Sequence, residues 1–188
     1  MIMHVMLPIT ASQRLVYLLI GFLCFLFLGV ALFLQHVGWN GVLYPPCPLC
    51  ILQRIGFLGV GFFCIIGSIV TPLKKVSYGL ASLFTVGGLS AAIRQLWVIA
   101  YPKASCGLDP LETFINQFQI VQQLPFFFQA DGLCSAILPP ILGLSVPIWS
   151  LLGFISFGLL FIILFFKCNE FGIGCGFHRG RDIWLRRN

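Results

Sequence analysis

Charge is what this sequence has least of. Asp, Glu, Lys and Arg make up 9% of its 188 residues, where a soluble domain carries about 25%. That shortage excludes a chain that must fold in water alone. Acidic residues are the scarcer sign, five against eleven Lys and Arg, for a formal net charge of +6. A basic balance can signal nucleic acid. Here the basic residues sit beside apolar segments, as membrane-flanking charges do, so the expected partner is a lipid bilayer and not a nucleic acid. No internal repeat or low-complexity segment stands out either.

What is present is apolar. Hydrophobic residues reach 59%, twenty of them Phe, and mean hydropathy is +1.02. A membrane span needs about 20 such residues. Four segments qualify, at about 15–34, 51–70, 76–100 and 148–166. The first is too long for a signal-peptide core, and no small-residue cleavage site follows it. The fold expected is an all-α membrane protein, a four-transmembrane-helix bundle forming one integral membrane domain over 1–188.

Orientation follows from Lys and Arg. Arg14, Lys74, Lys75, Lys167, Arg179, Arg181, Arg186 and Arg187 fall at the N-terminus, in the turn between the second and third spans, or in the tail 167–188. Four spans put those regions on one side, so both termini are expected to be cytoplasmic. The loops at about 35–50 and 101–147 then face outward, which in a bacterial chain means the periplasm. Disulfides persist in that oxidising space. Within the longer loop, Leu111, Phe114, Ile115 and Phe118 have helical spacing, and a short interfacial helix is expected over 111–128.

The eight cysteines differ in kind. Cys24 and Cys64 lie inside apolar spans and read as small packing residues. Cys168, Cys175 and His178 in the tail form a weak metal pattern and read as bystanders. Cys47-Pro48-Leu49-Cys50 at the start of the second span is the strong signal. A C-x-x-C pair can close a small disulfide ring and reopen it. The attacking species is the thiolate, favoured at helix N-termini and near cations. Pro48 suits a first helical turn, and the dipole there favours negative charge at Cys50. Arg54, four residues on, lies on the same face one turn deeper. An arginine within an apolar span reads as functional by default. It can stabilise a Cys50 thiolate or donate to a carbonyl of a bound ring.

Cys106 and Cys134 form a second pair in the outer loop. Alone they suggest a structural disulfide. Beside the first pair, they can exchange with it through mixed disulfides. Arg94 and Gln95, near the outer end of the third span, have two readings. They line a head-group pocket at the depth of Cys50 and Arg54, or Arg94 snorkels to lipid phosphates. Trp97 and Trp149 read as interfacial belt residues.

The run Cys47-Pro48-Leu49-Cys50-Ile51-Leu52-Gln53-Arg54 resembles the start of the second span in the disulfide bond formation protein B (DsbB) family. Asp131-Gly132-Leu133-Cys134, the stretch from Gly143 to Trp149, and Tyr101-Pro102 before Cys106 resemble that family too. The similarity in topology covers essentially the whole chain. It implies a thiol oxidase of the bacterial inner membrane with Cys47, Cys50, Cys106 and Cys134 catalytic and no metal. The cofactor implied is a membrane quinone, ubiquinone or menaquinone, near Cys50 and Arg54, with Arg94 and Gln95 as further candidates. The partner implied is a periplasmic thioredoxin-fold dithiol oxidase (DsbA-like). Its attack on a Cys106–Cys134 disulfide frees Cys134, which attacks Cys47 and releases Cys50 toward the quinone. The position of Gln95 is sometimes histidine by the family pattern, and glutamine cannot shuttle a proton.

Three other readings compete. A membrane scaffold with two structural disulfides leaves Arg54 unexplained. A zinc site needs about four ligands, and the loop cysteines have irregular spacing with only His36 to help. A vitamin K epoxide reductase-like protein is also a four-helix bundle with C-x-x-C, but that pair lies late in its chain.

Overall fold

The computed structural model describes residues 11–101 and 132–170. Four helices account for most of them: α1 (Ala11–His36), α2 (Pro48–Ile69), α3 (Lys74–Ala100) and α4 (Val146–Glu170). Each contains a stretch long and apolar enough to cross a membrane: Arg14–His36, Pro48–Ile69, Lys74–Ala100 and Val146–Phe166. At 1.5 Å per residue, even the 22 residues of α2 extend about 33 Å. The architecture is an all-α four-helix membrane bundle.

The helices run past the apolar windows expected from sequence. Hydropathy stops at the first polar residue, whereas backbone hydrogen bonding does not. α1 therefore takes in Gln35 and His36, and α3 begins at Lys74. α2 starts three residues early because Pro48, which lacks an N–H, occupies its first turn. A single 3-10 turn, Thr71–Leu73, links α2 to α3. The segment 111–128, Cys106, Cys175 and His178 lie outside the described residues, as does the side chain of Cys168.

α1 packs on α2, α2 on α3 and α3 on α4. Inside a bilayer, lipid tails are as apolar as leucine, so helices associate through close packing rather than by escaping water. Phe154 of α4 supplies that packing. It is fully buried and stacks on Phe57 at 4.1 Å between ring centroids. Its ring enters a slot made by Gly56 of α2 and Gly88 of α3. A Cβ on Gly88 would lie 2.2 Å from the ring, and one on Gly56 would lie 3.1 Å from the Gly88 Cα. Phe27 continues the stack on Phe57 at 5.2 Å. The outward faces carry Phe22, Phe62, Leu83, Val86 and Leu159, all exposed and suited to lipid contact.

Buried hydroxyls are answered locally. Ser68 and Thr85 each donate to the carbonyl four residues earlier, at 2.7 and 2.9 Å. Among the described residues no buried side-chain nitrogen or oxygen lacks a hydrogen-bond partner. This is what a medium without water requires.

The glycine slot makes a prediction. Gly88→Ala should destabilise the bundle by about 1–3 kcal/mol through overpacking against Phe154. Gly87→Ala, where nothing lies within 4 Å of the added atom, should be neutral. Thermal unfolding in detergent separates the two. Equal effects would remove the slot as a packing determinant.

Candidate functional site

Cys47 caps α2. Its backbone is extended (φ −87°, ψ 166°), and its Sγ accepts a hydrogen bond from the Cys50 amide at 3.3 Å. Asp, Ser or Asn usually fills this role. Here sulfur does, and the sequence Cys-Pro-x-Cys thereby sets both sulfurs at the positive end of the helix. The two Sγ atoms are 2.9 Å apart, within a small side-chain adjustment of a bond of about 2.05 Å. Cys47 is buried, whereas Cys50 is half-buried.

A third sulfur joins from the far side. The segment leading into α4 passes over the Pro45-Pro46 loop, where the Gly132 amide donates to the Pro46 carbonyl at 3.0 Å. A Cβ at Gly132 would lie 2.4 Å from the Pro45 carbonyl oxygen, so only glycine permits this approach. Cys134, two residues on, is thereby brought into hydrogen bonding with Cys47. That hydrogen bond, then the one with Cys50, then burial, push the Cys47 thiol well above the usual range. Cys47 is thus disfavoured as a thiolate. It sits between two sulfurs, as the sulfur that is attacked does in an exchange.

Below the sulfurs lies a cavity of about 430 Å³ between α1 and α4. Phe27 and Phe57 are among its apolar lining. Cys50, Gln53, Arg54 and Gln95 are among its polar lining residues, with Tyr44, Cys47, Ser145, Trp149 and Ser150. Its α1 wall includes Leu23, Leu26 and Val30, which are exposed on the outside of the bundle, so it opens sideways. The segment before α4 is held over it by two hydrogen bonds, Tyr44 Oη to the Pro139 carbonyl at 3.0 Å and Trp149 Nε1 to the Ile141 carbonyl at 3.1 Å. The size and the apolar walls with a few convergent donors fit a small-molecule site.

Arg54 is buried, 6% exposed. Its Nη1 donates to Gln35 Oε1 at 2.6 Å and its Nη2 to the Ala31 carbonyl at 3.3 Å, both on α1. Gln95 Nε2 donates to the sulfurs of Cys50 and Cys47 at 3.1 and 3.4 Å. Gln95 Oε1 in turn accepts from Gln53 Nε2 at 2.6 Å. Arg94 points elsewhere. It is exposed, with its guanidinium 4.8 Å from the Trp97 ring centroid, and it does not line the cavity. Of the candidate residues, Cys47, Cys50, Cys134, Arg54 and Gln95 meet at one place. Trp149 is more than a belt residue, since it pins the cavity's cover. Gln35 and Gln53 were not singled out from sequence. Their signal was an uncharged amide at the end of, or inside, an apolar span.

The family model for "Disulfide bond formation protein DsbB" matches residues 13–164. The chain belongs to the disulfide bond formation protein B (DsbB) family. It is similar to disulfide bond formation protein B of Cupriavidus pinatubonensis, 45% identical over 142 residues, which span 76% of this chain and 86% of that one. It is 40% identical to the Ralstonia nicotianae protein of the same name over 153 residues, 81% of this chain and 94% of that one. Against the Nitrosomonas eutropha protein, again of that name, it is 39% identical over 159 residues, covering 82% and 96%. A DsbB-family chain is a multi-pass membrane protein of disulfide formation, and a cluster of three sulfurs is the chemistry that such a task requires. The tail with Cys175 and His178 lies beyond the matched residues.

Gly132→Ala tests how this DsbB-family chain gathers its sulfurs. The added methyl must displace the segment from the Pro45 carbonyl, carrying Cys134 away from Cys47. Disulfide mapping by mass spectrometry after mild oxidation should show the Cys47–Cys134 cross-link reduced several-fold. An unchanged yield would mean that Gly132 does not set the approach.

Proposed function

We propose that this chain is a thiol:quinone oxidoreductase of the bacterial inner membrane, reoxidising a periplasmic thioredoxin-fold dithiol oxidase (DsbA-like) and so sustaining protein disulfide formation. The reading is carried by one observation: Cys134, Cys47 and Cys50 stand in sequence, and the last borders the cavity beside Arg54. The charge asymmetry of the sequence supports placing these cysteines on the periplasmic side.

The electron path follows from thiolate exchange. A partner thiolate attacks Cys106 of a Cys106–Cys134 disulfide, forming a mixed disulfide and freeing Cys134. The partner's second thiol resolves that bond and leaves oxidised. Cys134 attacks Cys47 of the Cys47–Cys50 disulfide, and Cys50 departs as a thiolate. A quinone in the cavity supplies a sink for two electrons and two protons. Cys47 and Cys50 both line that cavity, and Cys50 is the one set free there as a thiolate. Arg54, fixed by Gln35 and the Ala31 carbonyl, holds a positive charge and N–H donors at that wall. The apolar walls exclude water, so a sulfur anion is answered only by the protein's own donors. Two thiols, Cys50 and Cys106, remain beside the single Cys47–Cys134 bridge. Their two electrons and two protons pass to a quinone bound in the cavity, which adds the second disulfide. Exchange among the four cysteines then only sorts the two bonds back to Cys47–Cys50 and Cys106–Cys134.

Purified protein in detergent, given a reduced thioredoxin-fold dithiol protein and a quinone, should bleach the quinone absorbance catalytically. Cys50→Ser should remain folded and lose turnover altogether. Full turnover by that variant would refute the mechanism. Absence of turnover in the parent with several quinones and partners would favour a scaffold with structural disulfides. Arg54→Lys keeps the charge but not the two-pronged geometry. It should raise the quinone KM about tenfold or more, in line with losing a hydrogen bond from a charged donor.

A further inference from the structure

Gln95 and Gln53 are both nearly inaccessible, 6% and 4% exposed, and they are joined across α2 and α3. A glutamine amide has two faces of opposite sense, a donor nitrogen and an acceptor oxygen. Which of them meets the sulfurs is decided by what holds the other. Gln53 Nε2 donates to Gln95 Oε1 at 2.6 Å, so Gln95 is left with its NH2 group toward Cys50 and Cys47. A thiolate accepts hydrogen bonds and donates none. With the amide turned round, an oxygen would face that thiolate and repel it.

We propose that Gln53 is a positioning residue that locks the Gln95 amide in its donating sense, so that Gln95 stabilises the Cys50 thiolate rather than meeting a ring carbonyl. This deepens the oxidoreductase reading, since the sulfur served is the one set free as a thiolate at the cavity. Among the described residues, Tyr44, Cys47, Gln53, Arg54 and Gln95 line the cavity with Cys50, Cys134 meets Cys47, and Gln35 at the end of α1 holds Arg54. The cavity-lining residues of α4 are Val146, Pro147, Trp149 and Ser150, none of them ionisable. Gln95 is the only one of these described groups whose amide donates to both sulfurs, so its orientation bears directly on how readily Cys50 ionises.

The test needs neither quinone nor partner. The full chain is reduced in detergent, and alkylation of Cys50 by N-ethylmaleimide is followed by site-resolved mass spectrometry between pH 6 and 9. Gln95→Met should slow Cys50 alkylation about tenfold near pH 7 and move its pH profile to the alkaline side. Gln53→Met should do the same to a lesser degree, several-fold. In a Gln95→Met background, Gln53→Met should add nothing, because its effect passes through the amide. Gln53→Glu keeps the side chain's length while offering Gln95 an acceptor, and should slow alkylation at least as much as Gln53→Met. Parent-like rates in Gln53→Glu or Gln53→Met, or a Gln53→Met effect that persists without Gln95, would overturn the proposal. Because alkylation proceeds without turnover, loss of the orienting role and loss of quinone reductase activity are scored separately.

Discussion

A sulfur anion at the mouth of a membrane span is costly unless the protein answers its charge, because the hydrocarbon beside it offers no donors. The candidate site is organised around that constraint. Cys50 is the third residue of α2, where backbone amides are free of helical partners. Its own amide is taken by Cys47, which thereby becomes both cap and neighbouring sulfur. The Gln95 amide reaches it from α3, and Arg54 lies one turn deeper. These groups come from different helices, so the site exists only when the bundle is closed.

Closure depends on features away from the sulfurs. Phe154 seated between Gly56 and Gly88 brings α2, α3 and α4 together, and α2 and α3 are the helices that carry Cys50 and Gln95. At the other edge, Gly132 lets the returning chain lie against Pro45-Pro46, while Tyr44 and Trp149 hold that chain over the cavity. A residue such as Gly132 serves packing and chemistry with one contact. The hydrogen bond from its amide to the Pro46 carbonyl also holds the segment carrying Cys134 against the loop that carries Cys47.

Much of the fold was legible because a membrane span declares itself by length and apolarity alone. Helix ends were less so. Gln35 and Lys74 continue helices that hydropathy would stop. The start of α2 could be read from Cys47-Pro48, since a proline without an N–H suits a first turn. The meeting of Cys134 with Cys47 could not be read from spacing, because eighty-odd residues of chain separate them, and it came instead from family resemblance. Arg94 and Gln95 show the limit of arguing from depth. Neighbours in a helix lie about 100° apart, so at equal depth only one of them faces inward, and depth alone does not say which. Gln53 was hidden for another reason. Its value lies in orienting a second amide, a property of a pair that forty-two positions separate.

The most direct test traps the chain halfway. Quinone-depleted protein with both cysteine pairs oxidised is mixed with one equivalent of a reduced thioredoxin-fold dithiol protein, quenched with acid, alkylated and mapped by mass spectrometry. The expected product carries a Cys47–Cys134 disulfide with Cys50 alkylated. Recovery of reduced Cys106 and Cys134 beside an intact Cys47–Cys50 disulfide, with no bridge between the pairs, would contradict a relay of sulfurs leading to the cavity.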